Sequence, residues 1–240
     1  MAQDNRKFFG DTDFDKVINL GQSLVFDKQD LTILRIELTW GGTDLDVCAF
    51  MLAEDEMIHS KEDLVYFNSA LRWKTEKSFD DPEFNPLKGK FSKWEDETDY
   101  KNPRKWLQST LPISLDGSVI GSWDDGASDD DEECSETMHV LLEEVDTRKY
   151  SSIILAAAVA KAKILQGETF EDAKHPVVRI YDAETDNLIV EYKLDTEFIG
   201  KDVVCFGNIV YNSQEMLWSF EPMAEGYKGG MMYLAREVYN

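Results

Sequence analysis

The sequence predicts an all-β chain, an antiparallel β-sandwich of two sheets closed by a short C-terminal helix, and three observations predict it. Apolar and polar residues alternate with a period near two in LTILRIELTW, residues 31–40, where Thr32, Leu34, Ile36 and Leu38 share one side and Leu31, Ile33, Arg35 and Glu37 the other. Such runs recur every ~8 to 12 residues with Gly, Asp and Asn between them, which is the rhythm of a sandwich rather than of a βαβ fold. The 240 residues are 42% apolar and 12% aromatic, enough for one substantial core. The organisation expected is one domain over 1–240 with an inserted segment at about 74–115.

Gly41 and Gly42 turn the chain after the first strong strand. LDVCAFMLA, 45–53, is apolar on both faces, as a central strand covered on both sides must be. DLVYFN, 63–68, reads as the next strand. MHVLLEEV (138–145), YSSIILAAAVAKA (150–162), PVVRIYD (176–182), NLIVEYKL (187–194), KDVVCFGNIVYN (201–212) and EMLWSFEPM (215–223) follow as further strands. AAAVAKAKIL suits helix as well, since Ala, Lys and Leu favour it, but SSIILA before it and GETF after it favour a strand with a polar exit. DAETDN, 182–187, is a hairpin turn in which Asp and Asn supply hydrogen bonds and a left-handed residue. GYKGG, 226–230, reads as a tight turn, with a short helix after Gly230.

The segment at about 74–115 has no clear period and is rich in Pro, charge and aromatics. Phe79, Phe84, Phe91, Trp94, Tyr100 and Trp106 are too many for a plain linker, so it is expected to pack over the sandwich or against a partner. Forty-eight acidic against 25 basic residues give a formal charge of -23, which opposes unassisted binding to nucleic acid or anionic lipid and favours cations and basic partners. Cys48, Cys134 and Cys205 are odd in number and lack CxxC spacing, so neither a disulfide framework nor a zinc knuckle is expected, and a reducing cytoplasm fits. The N-terminus lacks the apolar core of a signal peptide and no run approaches a membrane span, so direct membrane insertion is not expected.

The densest charge lies in GSWDDGASDDDEECSE, 121–136, with eight carboxylates and no Lys or Arg. It reads either as a solvated loop or as part of a hard-cation site, because grouped carboxylates need a cation, a proton or water. Calcium suits such a site with its six to eight oxygen ligands. No EF-hand spacing is present, so ligands must converge from separate loops. Asp44 and Asp46 share a face of the strand they open, and Asn68 ends the third run; these are the candidates to join Asp124, Asp125 and the carboxylates of 129–136. His59, His139 and His175 lack zinc spacing, and nucleophile elbows, Walker loops and dinucleotide fingerprints are absent. A divalent-metal hydrolase is the weakest alternative, since no cleft is legible.

The ordered pieces GQSLVFDKQDLTILRIELTW, TDLDVCAFML, DLVYFN, DGSV with its acidic loop, GNIVYNSQEMLWSF and GYKGGMMYLA resemble the TerD family of tellurite-resistance and bacterial stress proteins over about 19–73 and 116–238. The resemblance implies a sandwich with C2-like calcium-binding loops at one end, Ca2+ as cofactor, a cytoplasmic stress-response role with possible protein partners, and no enzymatic activity. Carried over by position, Asp44 and Asp46 match an Asp-Leu-Asp pair, Asn68 the Asn after an aromatic strand, and Asp124 and Asp125 the start of the acidic loop. Trp218, Phe220, Tyr227, Gly229 and Gly230 match a closing pattern read as structural. For the family's Asp-Asp-Glu element two registers stand open. Counting back from the following strand selects Cys134, Ser135 and Glu136, while residue type selects Asp130, Asp131 and Glu132, with Asp129 beside them. The alternative reading is a metal-independent interaction scaffold that uses the aromatic insertion.

Overall fold

A computed structural model describes residues 6–8, 22–26, 31–69, 71–74, 110–122, 134–194 and 198–240. Seven strands form the larger sheet in the order β1 (Arg6–Phe8), β2 (Ser23–Phe26), β14 (Leu217–Tyr227), β13 (Val203–Asn212), β10 (Ser152–Val159), β4 (Leu45–Leu52), β5 (Leu64–Val65). Five form the second sheet in the order β12 (Asn187–Lys193), β11 (Ala173–Asp182), β3 (Ile33–Gly42), β9 (Cys134–Leu141), β8 (Val119–Gly121). All pairings within these sheets are antiparallel except β1 with β2. The expected two-sheet, mostly antiparallel fold is therefore present, and a short ladder of β6 (Arg72–Lys74) with β7 (Thr110–Pro112) stands beside it.

Alternation decides which side of β3 is inside. Leu34, Ile36, Leu38 and Trp40 are buried between the sheets, while Ile33, Arg35 and Glu37 are only half-buried. They meet Val47, Ala49 and Met51 of β4, Phe206 of β13 and Trp218 of β14 in the main core. β4 is buried along its whole length because its other face is covered too. There Cys48 and Phe50 pack with Ile154, Ala156, Val203 and Cys205 under the C-terminal helix, which supplies Leu234, Ala235 and Tyr239. That helix runs Met231–Tyr233 and continues as a π-turn over Leu234–Val238, and the Ile58 N–H fastens its end by donating to the Tyr239 carbonyl at 2.7 Å. Truncating a fully buried aromatic such as Trp218 costs about 3–5 kcal/mol in cores of this kind.

Three expectations need correction. DLVYFN is a strand only at Leu64 and Val65: Asp63 accepts the Ser60 N–H at 2.8 Å and closes a 3-10 turn before it, and Ser69 Oγ accepts the Tyr66 N–H at 2.9 Å and closes a turn after it. AAAVAKAKIL is both readings in succession, β10 to Val159 and then a single helical turn, α1 (Lys161–Ile164). MHVLLEEV begins earlier and ends sooner than expected, since β9 starts at Cys134 and the chain turns after Leu141. The hairpin at 182–187 is as expected, with Asp182 accepting from Glu184 N–H and Thr185 Oγ–H and with Asp186 left-handed. The greater part of the inserted segment, 75–109, lies outside the described residues.

Candidate functional site: a carboxylate-bearing end of the sandwich

One end of the sandwich collects several connections between the two sheets. β3 passes to β4 there through Thr43 and Asp44, β10 to β11 through α1, and β12 to β13 through the segment ending at Asp202. Gly42 makes the first crossing possible: its φ is +80°, and a Cβ would stand 2.4 Å from the Asp172 carbonyl, which accepts the Thr43 N–H at 3.1 Å. The next residue, Asp44, is half-buried, and its carbonyl accepts the Ala160 N–H at 2.9 Å where α1 begins.

Asp46 follows two residues later and is buried. Strand parity puts it on the face of Cys48, and it stands close enough to Tyr66 that, after burial itself, its negative charge raises the pKa of the Tyr66 hydroxyl. Burial, then Cys205, Asp46 and Glu136, push the Cys48 thiol well above the ordinary thiol range, so it is no ready nucleophile.

Glu136 enters from the other sheet. It is 2% exposed, and its Oε2 accepts the Val47 N–H at 2.7 Å. The topology explains why that amide needs a side chain: β5 pairs only with Ala49 and Phe50, so the opening residues of β4 extend past their short neighbour. Glu136 thus ties β9 to β4 across the mouth of the sandwich.

The acidic tract leaves and returns at this same end. Ser122 N–H donates to the Thr137 carbonyl at 2.7 Å, and Cys134 pairs with Trp40, two residues before Gly42. Asp124, Asp125, Asp129, Asp130, Asp131 and Glu132 lie outside the described residues. Of the open registers, the one through Cys134, Ser135 and Glu136 is strand β9: Cys134 and Glu136 are buried and Ser135 is exposed. Asn68 stands exposed in the turn after β5 rather than at a strand end. Asp44, Asp46 and Glu136 together with both stems of the acidic tract therefore share one end. Their oxygen donors fit a hard cation, whereas the Cys134 thiol does not. Among the described residues, no group of three or more His, Cys, Asp or Glu side chains is drawn together as a metal centre.

Two carboxylates with structural work were not singled out by the sequence. Asp202 accepts the N–H groups of Gly229 and Gly230 at 3.0 and 2.9 Å, which fixes the GYKGG turn at the acidic end. Asp63, 1% exposed at the far end, accepts from Tyr150 OH, Lys149 Nζ and the His59 and Ser60 amides. Burial alone would raise its pKa, but these hydrogen bonds outweigh it and hold the carboxyl below its ordinary value. The sequence signal for Asp63 was the Ser-x-x-Asp spacing of a capping box; for Asp202 there was none.

A two-sheet, largely antiparallel sandwich with carboxylates gathered where its sheets exchange strands defines the class. The sequence profile of the TerD domain matches residues 111–238, just over half of the chain, and the chain belongs to the TerD family. The motifs quoted from 19–73 precede the matched span. Two solved structures share the fold. The crystal structure of SAV2460, a protein of unknown function, has a TM-score of 0.57 at 16% identity, covering 86% of this chain and 95% of that one. SCO6318 from Streptomyces coelicolor A3(2), described as a homologue of telluride resistance protein TerD, has a TM-score of 0.57 at 14% identity, covering 88% and 98%. The search of curated proteins returned no match.

Proposed function

We propose that this TerD-family chain is a cytoplasmic calcium-binding protein of the tellurite-resistance and stress-response kind, whose acidic loops bind Ca2+ and shape an interaction surface. The observation that supports it most is the meeting of Asp44, Asp46 and Glu136 with both stems of the acidic tract at one end. Hard oxygen donors from the separate β3–β4 and β8–β9 connections are what calcium accepts, and like-charge repulsion among them is what calcium relieves. Asp44, Asp46, Asn68, Asp124, Asp125, Asp129, Asp130, Asp131, Glu132 and Glu136 are the candidate donors. Calcium there orders the loops and presents a surface to a protein partner; no chemical step is assigned to it.

The test is calorimetric titration of metal-free protein with calcium, paired with its melting temperature. Binding releases or absorbs heat, and at a hundredfold excess over Kd it stabilises the fold by about 2.7 kcal/mol. Absence of both heat and thermal shift at millimolar calcium overturns the reading.

A second reading, a metal-independent scaffold acting through the aromatic insertion, draws on the register that counts back from the following strand and sets Cys134 and Ser135 of β9 against the family's carboxylates. Buried Arg72 also favours it, because Arg72 holds the base of the insertion by donating to the Thr110 hydroxyl at 2.7 Å and to the Phe67 carbonyl. Loss of a captured partner on deletion of 75–109, with no effect of neutralising the acidic tract, selects this reading over the first.

A further inference from the structure

We draw no further inference here: the strongest candidate, the side-by-side departure of the 75–109 insertion and the acidic tract from one end of the sandwich, where Pro112 of β7 packs against Gly121 of β8, rests on two segments that lie outside the described residues.

Discussion

Replacement of Glu136 tests whether the two sheets are tied at the carboxylate end as the geometry indicates. Glu136→Ala removes the acceptor of the Val47 N–H and strands a buried donor, while Glu136→Gln keeps an oxygen of the same reach but no charge. A hydrogen bond to an ionised group is worth about 1.5–3 kcal/mol, and a stranded buried amide costs a similar amount. The Ala variant should therefore lose about 2–4 kcal/mol and the Gln variant about 1 kcal/mol. Both substitutions also remove a negative charge that helps raise the Cys48 thiol. That change is common to the pair, so the difference between Gln and Ala isolates the tie to Val47. Urea unfolding in metal-free buffer, with an unchanged slope, measures it. An Ala variant within about 0.5 kcal/mol of wild type, or a Gln variant as unstable as Ala, refutes the reasoning.

Two further outcomes follow from the fold. Burial and then the neighbouring Arg35 lower the pKa of His139 on β9 to about 4. Its folded value lies below the unfolded value of ~6.5, so its contribution to stability is complete above pH ~6.5 and is lost as pH falls through about 4, on the order of 3 kcal/mol in all. Thermal melts between those limits should steepen with acid in wild type and flatten in His139→Gln; parallel profiles would dismiss the effect. Gly42→Ala must hold a left-handed φ and meet the Asp172 carbonyl, so about 2 kcal/mol or more and a fall in Tm of ~4–8 °C are expected, and an unshifted Tm would show that the crossing tolerates a side chain.

Long, strongly patterned strands were legible because burial on one or both faces leaves a periodic record. β3 carried its alternation openly, and β4 announced by its two apolar faces that both sides would be covered. DLVYFN misled because its apolar residues serve a turn: Asp63 and Ser69 offer the backbone side-chain partners that end the strand after two residues. The α1 turn was half legible, its helix-forming composition being outvoted by the strand before it. At the carboxylate end, Asp46 was legible because strand parity fixes its face, whereas Asp44 lies one residue before β4, in the crossing, where parity no longer applies. The place of Glu136 was not legible, because it depends on how far β5 extends along β4 and no residue near Glu136 records that.

The ladder of β6 with β7 sets where the inserted segment begins and ends. Lys74 pairs with Thr110, so the two points from which residues 75–109 depart are about 5 Å apart, as paired strands must be. Arg72 and the small apolar cluster of Trp73, Leu111, Ile113 and Ile120 secure that junction from the sandwich side. A stretch whose ends meet so closely imposes no span on its host, and the entropic cost of closing it grows only slowly with length. The position is a socket: what is plugged in there can be lengthened, trimmed or exchanged while the strands beneath keep their pairing.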